Sequence, residues 1–245
     1  MLYGRRNYFL MRRESIVIGF TVYLAFGISN QGGSMIQSLQ NRHIVITGAG
    51  GGLGPSVLET LRASGAVCHA PSRNELDLSD EASVARYYAA LPSLWASIHV
   101  AGGFSMASVE ETSLQAFTAQ WTINTVTAFL ASREAVRRIK AGGSGGGRII
   151  NIGAKAAVDA AAGMLAYVTA KGALIAMTRA LAAEVRAAGI LVNAILPEII
   201  DTPVNRQAMP KADFSLWTKP SAIAATIAWL ASPDNESVTG ALVPV

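Results

Sequence analysis

The chain has little charge and almost no cysteine. Its 245 residues include one cysteine, Cys68, and only 15% of them are charged. A single cysteine excludes an intrachain disulfide and fits a reducing compartment, so we expect a cytoplasmic protein. Hydrophobic residues make up 51% of the chain, which excludes a disordered protein and indicates a well-buried core. This length suits one α/β domain rather than two.

The first 34 residues differ from the rest of the chain. They contain Arg5, Arg6, Arg12 and Arg13, which supply much of the net charge of +4, and then an apolar run at 16–28. The remainder is close to neutral, so nucleic-acid binding is not indicated.

Three interpretations of this extension are open: a signal or membrane anchor, a peripheral amphipathic arm, or translated sequence upstream of a true start at Met35. The apolar run is short for a membrane span. We favour the third interpretation because Met35 lies a few residues before the first predicted strand. We therefore expect a domain at 35–245 and no stable membrane association.

Short apolar runs alternate with helical patterns after Met35. Strands are predicted at 43–46, 66–70, 97–101, 148–152, 190–196 and 241–243, and helices at 53–64, 79–91, 116–140, 167–188 and 221–230. Ser79 or Asp80 is the predicted N-cap of the second of these helices. Strands that are apolar throughout, with helices between them, are typical of a parallel sheet covered on both faces. The pattern predicts an α/β fold, a Rossmann-type doubly wound parallel sheet in a single domain.

A glycine-rich turn follows the first predicted strand. The sequence Thr47-Gly48-Ala49-Gly50-Gly51-Gly52-Leu53-Gly54 leads directly into a predicted helix that has Pro55 in its first turn. Glycines allow the backbone to approach a pyrophosphate, and the N–H groups at the start of the helix meet its negative charge. The turn therefore predicts a nucleotide cofactor.

Tyr167 and Lys171 lie four residues apart on a predicted helix. This spacing places a phenol and an ammonium group on the same face, where the lysine can favour the phenolate. The pair is a candidate for proton transfer.

Together these features resemble the short-chain dehydrogenase/reductase family, from about residue 40 onwards. The resemblance also rests on Ala101-Gly102 at a strand end, on Asn124 and on the run 197–202. It implies that Tyr167 is the acid/base, that Lys171 lowers its pKa and binds the nicotinamide ribose, and that Asn124 holds a water molecule. The cofactor contacts that it implies are Gly48, Gly50, Gly52, Leu53, Gly54, Ala101, Gly102, Tyr167, Lys171, Pro197 and Thr202.

One position departs from the family pattern. Thirteen residues before the tyrosine, where the family has a serine, this chain has Ala154, which has no hydroxyl to polarise a carbonyl. The runs 100–104, 153–159, 163–167, 201–206 and 209–218 resemble the dihydropteridine reductases, which also have alanine there. This narrower resemblance implies hydride transfer to a dihydropterin, or to a related electron-poor heterocycle or quinone. The candidate substrate contacts are Ala154, Phe104, Met164 and Trp217.

The residues after the second predicted strand bear on the choice of cofactor. An acidic residue there would bind the ribose 2′-OH of NAD, but the chain has Ser72 and Arg73. A hydroxyl and a guanidinium suit a 2′-phosphate, so NADP(H) is preferred and NAD(H) stays possible. Asp77 resembles the family's aspartate beside the adenine ring.

Two alternative functions stay open. The first is a reductase of ordinary ketones or 3-oxoacyl thioesters that works without the serine. The second is a non-catalytic NADPH-binding protein, although the intact Tyr167 and Lys171 argue against that class. No metal is expected, and the expected partners are a small-molecule substrate and copies of the chain, since the resemblance implies a homodimer or homotetramer packed through two long helices.

Overall fold

Strands and helices alternate along the chain in a computed structural model that describes residues 39–143, 145–159 and 161–245. The predicted extension at 1–34 lies outside these residues. All six predicted strands are present: β1 His43–Thr47, β2 Val67–His69, β3 Ala96–His99, β4 Gly147–Ile152, β5 Ile190–Leu196 and β6 Leu242–Pro244. They form one sheet in the order β2-β1-β3-β4-β5-β6, and every pairing is parallel.

The helices cover both faces of this sheet. They are α1 Gly54–Ala63, α2 Glu81–Ala89, α3 Leu114–Trp121, α4 Thr127–Ala141, α5 Ala156–Asp159, α6 Leu165–Val185, α7 Pro203–Ala208 and α8 Pro220–Ala231. Ile44 and Ile46 pack with α1 and α8 in one buried cluster, whereas Val45 packs with α2, α4 and α6 in the other. This alternation is what a strand buried on both faces requires, and the predicted doubly wound fold is confirmed.

The order of the strands determines where a ligand can bind. The chain leaves β1 towards β2 on one side and continues from β3 on the other side. The loops after β1 and β3 therefore diverge and leave a crevice at the carboxyl ends of these two strands.

The helix predicted at 116–140 is interrupted. Between α3 and α4 the residues Thr122–Val126 form a π-helical turn, in which the Thr127 N–H donates to the Thr122 carbonyl. The Asn124 side chain donates to the Gln120 carbonyl at 3.1 Å, in competition with the regular ladder of backbone hydrogen bonds. Apolar periodicity does not report such a local change, so the prediction of one continuous helix was wrong here.

Other boundaries agree closely with the sequence pattern. Asp80 caps α2 as predicted, since its Oδ1 accepts a hydrogen bond from the Ala82 N–H at 3.0 Å. The short α5 and α7 were not predicted. Within the described part of the chain, no helix combines the length and the apolar character needed to cross a membrane.

A buried polar chain joins β3 and β4 to α6. His99 Nδ1 lies 2.8 Å from Asn151 Oδ1, and Asn151 Nδ2 donates to Thr178 Oγ1 at 2.9 Å. On the other side of the ring, Nε2 lies 2.9 Å from Ser97 Oγ. Because Asn151 uses its amide N–H towards Thr178, its oxygen faces His99, so Nδ1 carries the proton of a neutral imidazole. Burial lowers the pKa of His99 to about 4.

We expect this histidine to destabilise the fold in acid. Between about pH 6.5 and the folded-state pKa of about 4, His99 is protonated in the unfolded chain but stays neutral in the folded chain. Stability that is present above pH 6.5 is then lost as the pH falls, by roughly 3 kcal/mol in total.

Urea unfolding at several pH values tests this expectation. The free energy of unfolding of a His99→Gln variant should depend less steeply on pH between 4 and 6.5, although the variant is less stable throughout. Equal slopes for the two proteins would show that His99 takes up its proton in the folded state.

Candidate active site

The loops after β1, β3 and β5 meet at the glycine-rich turn. Gly48 has a φ of +72°, and a Cβ on it would lie 2.5 Å from the backbone nitrogen of Ala101. A Cβ on Gly52 would lie 3.0 Å from Cγ2 of Thr202, which follows β5. Glycine is required at these close approaches, and three predicted cofactor segments are thereby brought together.

A cavity of about 940 Å³ extends from this turn towards Ser72 and Arg73. Asp77, Ala101 and Gly102 also line it, as do Gly48 and Gly50. Backbone groups of the turn at one end and the Arg73 guanidinium at the other suit a dinucleotide that carries phosphate charge. Leu53 and Gly54 lie outside the lining, because they begin α1 and Leu53 is buried in the core.

A carboxylate that was not predicted, Glu75, lies in the turn that follows Arg73, although it does not line the cavity. Glu75 Oε2 accepts the Ser72 N–H at 2.8 Å, and this hydrogen bond lowers the pKa of Glu75. Asp77 accepts hydrogen bonds from the Ser79 hydroxyl and N–H, which likewise lower the pKa of Asp77. Both carboxylates therefore shape the turn around Arg73.

Lys171 is the most deeply buried charge of the site. Its residue is 5% exposed, and its Nζ donates a hydrogen bond of 2.6 Å to the Ile152 carbonyl at the end of β4. Burial lowers the pKa of Lys171 to about 8. The group is therefore largely charged at neutral pH but close to titration.

Tyr167 lies one turn before Lys171 on α6. The Lys171 Nζ is 5.9 Å from the centre of the Tyr167 ring, so the two residues share a face as predicted. Burial raises the pKa of Tyr167 to about 12, however, in contrast to the predicted lowering by Lys171. The reason is geometric, because the ammonium is directed at the Ile152 carbonyl and the phenol is desolvated.

Asn124 connects the π-helical turn to the loop after β3. Its Oδ1 accepts the Gly103 N–H at 3.1 Å and its Nδ2 donates to the Gly103 carbonyl at 2.9 Å. A Cβ on Gly102 would lie 2.8 Å from Asn124 Oδ1 and 3.4 Å from Lys171 Nζ. The structure thus places Asn124 beside Lys171, with a side chain that clamps the loop.

A second cavity, of about 250 Å³, lies above this group. Phe104, Asn124, Tyr167, Lys171 and Pro197 line it, together with the unpredicted Glu198. It shares Val100 and Gly102 with the larger cavity, so the two spaces adjoin. The Phe104 ring meets the Tyr167 ring edge-on at 5.0 Å between centroids and is 58% exposed.

Three predicted substrate contacts do not line this cavity. Ala154 is buried next to the end of β4, and Met164 lines a separate space of about 20 Å³. Trp217 is buried against Phe214, with 4.7 Å between ring centroids. Glu198 was missed because nothing in its own sequence neighbourhood, except its position directly after Pro197, indicates a site.

Comparisons with known proteins agree with this architecture. The family model described as enoyl-(acyl carrier protein) reductase matches residues 39–245. The chanoclavine-I dehydrogenase of Penicillium roqueforti is 29% identical over 195 residues, which are 69% of this chain and 74% of that protein.

A second relative matches over a shorter stretch. The 3-oxoacyl-(acyl-carrier-protein) reductase of Pseudomonas aeruginosa is 40% identical over 108 residues, which are 40% of this chain and 43% of that protein. Ligand-free aldohexose dehydrogenase of Thermoplasma acidophilum superposes with a TM-score of 0.79 at 23% identity, covering 86% of this chain and 94% of that one. This last similarity concerns the fold alone.

Gly48 and Gly50 provide a matched test of the turn. Gly48→Ala should lower the free energy of unfolding by about 2 kcal/mol or more, because it combines a positive φ with a backbone overlap. A Cβ on Gly50 would have no heavy atom within 4 Å, so Gly50→Ala should change the free energy of unfolding by less than about 1 kcal/mol. Urea unfolding of both variants measures these two changes. Equal losses of unfolding free energy would contradict the close packing of Gly48 on Ala101.

Proposed function

The chain belongs to the short-chain dehydrogenase/reductase family of oxidoreductases, and from that premise we propose that it reduces a dihydropterin, or another conjugated electron-poor acceptor, with NADPH. Tyr167 is the acid/base of this reaction. Members of the family use a nicotinamide dinucleotide, which supplies the hydride when it is bound. The narrower resemblance to dihydropteridine reductases stays a prediction.

The observation that carries the proposal is the shared wall of the two cavities. The larger one combines the glycine turn with Arg73, and the smaller one contains Tyr167 and Lys171. Their junction at Val100 and Gly102 lets a dinucleotide in the first reach an acceptor in the second. Support for the proposal comes from five of the predicted residues, which line one or other of the two adjoining cavities: Gly48, Gly50, Arg73, Tyr167 and Lys171.

The chain's own residues handle the proton. A Tyr167 phenol with a pKa near 12 keeps its proton at neutral pH and can donate it to an acceptor in the smaller cavity. The nearby Lys171 cation stabilises the negative charge that this donation leaves on the phenol oxygen. Asn124 keeps the loop at Gly103 in place beside both groups.

Ala154 favours an acceptor that is already polarised. The alanine is buried and offers no hydroxyl at the position where the family has a serine. A single donor to a developing oxyanion is worth about 10²–10³ in rate in well-studied enzymes. An isolated ketone would lose that contribution, whereas a ring imine or quinone depends on it less.

A second candidate function is the reduction of ketones or 3-oxoacyl thioesters. The relative from Pseudomonas aeruginosa, a 3-oxoacyl-(acyl-carrier-protein) reductase by name, supports this candidate through its 40% identity. A non-catalytic NADPH-binding role is less consistent with a buried Lys171 beside Tyr167.

We also propose that copies of the chain associate through α4 and α6, in the cytoplasm. A groove of about 430 Å³ between these helices is lined by Phe129, Val136, Met177 and Leu181. Phe129 is an exposed aromatic residue. Exposed apolar side chains of this kind favour association, because a partner that covers them removes their surface from water.

Arg73 tests the choice of cofactor. Arg73→Ala should weaken the binding of NADPH by roughly tenfold or more and change that of NADH by less than about threefold, because only NADPH carries the 2′-phosphate. Cofactor fluorescence titrations measure both dissociation constants. Equal losses for the two cofactors would indicate that Arg73 lies in a solvated turn.

Tyr167 tests the reaction. With freshly generated quinonoid dihydropterin as acceptor, the wild-type protein should oxidise NADPH, and Tyr167→Phe should lower kcat by about 10²–10⁴, the usual contribution of a general acid. The affinity for NADPH should stay nearly constant, since the phenyl ring is retained.

The controls separate the candidate functions. Turnover of ketones or 3-oxoacyl thioesters without turnover of the pterin would select the second candidate. Tight NADPH binding without turnover of any acceptor would select the non-catalytic role, and an unchanged kcat in Tyr167→Phe would refute the assigned acid/base.

A further inference from the structure

Glu198 is the one carboxylate among the residues that line the smaller cavity. It lies two residues after the end of β5 and shares the lining with Tyr167, Asn124 and Phe104. The only other charged residue of the lining is Lys171, whose ammonium is bonded to the Ile152 carbonyl. Glu198 is therefore the anionic group that an acceptor beside Tyr167 would meet.

Lys155 holds this carboxylate at the mouth of the cavity. Its Nζ lies 3.0 Å from Glu198 Oε2, and its backbone N–H donates to the Pro197 carbonyl at 3.0 Å. The ends of β4 and β5 are thereby joined by two contacts, one of them through the backbone. The Glu198 side chain is 65% exposed, so Lys155 orients it without burying it.

The carboxylate keeps unused capacity for hydrogen bonds. Lys155 binds Oε2, and among the described residues none donates to Oε1. An ionised carboxylate has about four acceptor positions, and two adjacent N–H donors can satisfy both oxygens at once. Ligands whose N–C–N edge carries N–H on both nitrogens, such as amidinium ions and the 2-amino-4-oxo ring of a pterin with its proton on N3, present that pair of donors.

We propose that Glu198 is a specificity-determining residue that binds the amidine-like edge of the acceptor. The inference rests on the proposed function, because a pterin carries such an edge in its 2-amino group and the neighbouring ring nitrogen. The same carboxylate repels an acceptor that presents an anion at this position. In this arrangement Glu198 determines which acceptor binds, and Tyr167 transfers the proton.

Pterin and lumazine form a matched pair of probes for this edge. They share the bicyclic ring, but lumazine has a 2-oxo group in place of the 2-amino group. With NADP⁺ at saturation, calorimetry of the full chain should give a dissociation constant for pterin about tenfold below that for lumazine, the low end for a charge-assisted pair at an exposed site.

In Glu198→Gln this preference should fall to about twofold or less, with NADP⁺ affinity unchanged. Glu59→Gln makes the same chemical change on α1, at a residue that lines neither cavity, and should keep the wild-type preference. An unchanged preference in Glu198→Gln would overturn the inference, as would failure of the wild-type protein to bind either probe.

Turnover separates this inference from the proposed function. If quinonoid dihydropterin is not reduced but the preference for pterin disappears in Glu198→Gln, the proposed reaction is refuted and the proposed recognition by Glu198 is supported. If the pterin is reduced equally well, with an equal KM, by wild type and Glu198→Gln, the reaction stands and the recognition by Glu198 is refuted.

Discussion

The burial of the Lys171 ammonium constrains the rest of the site. Removing such a charge from water costs several kcal/mol unless nearby groups compensate. Here the Ile152 carbonyl compensates at 2.6 Å, which ties α6 to the end of β4. A Cβ on Gly102 would lie 2.8 Å from Asn124 Oδ1, which is too close unless that side chain shifts, and 3.4 Å from Lys171 Nζ, which is an ordinary contact distance. The ammonium thus connects α6 to the end of β4, and Asn124 connects the π-helical turn to the loop after β3.

Burial shifts the pKa values of the proposed catalytic pair, Tyr167 and Lys171, in opposite directions. Burial raises the pKa of Tyr167 to about 12 and lowers that of Lys171 to about 8, so each shift favours the neutral form of its group. A phenol that keeps its proton is prepared to act as an acid, whereas oxidation of an alcohol would need the phenolate as a base. In the proposed function, Tyr167 is therefore a protonated phenol at neutral pH, the form that donates a proton.

The features that the sequence predicted are those with a local or periodic cause. The parallel order followed from apolar runs with helices between them, and Asp80 was identified as a cap because its side chain acts within two residues. Tyr167 and Lys171 were found through helical spacing. The π-helical turn was not predicted, because apolar periodicity does not report the hydrogen bond from the Asn124 side chain to the Gln120 carbonyl. The pairing of Lys155 with Glu198 was not predicted, because it joins residues that are 43 positions apart in the chain. The raised pKa of Tyr167 was missed for a similar reason, since the degree of burial is a property of the whole fold.

Under the proposed function, Ala154 and Glu198 favour acceptors with the same chemical features. In that proposed reaction, the conjugation of the acceptor accommodates the incoming electrons without help from a serine hydroxyl, and such conjugated rings are flat and rich in nitrogen or oxygen. A flat ring can lie along Phe104, whose exposed face borders the cavity next to Tyr167. A nitrogen-rich ring offers N–H donors that match the Glu198 carboxylate, whereas an acyl thioester offers none at its reacting end. Under the proposed function, the missing hydrogen-bond donor at Ala154 and the carboxylate acceptor of Glu198 would favour the same class of acceptor, through different physical effects.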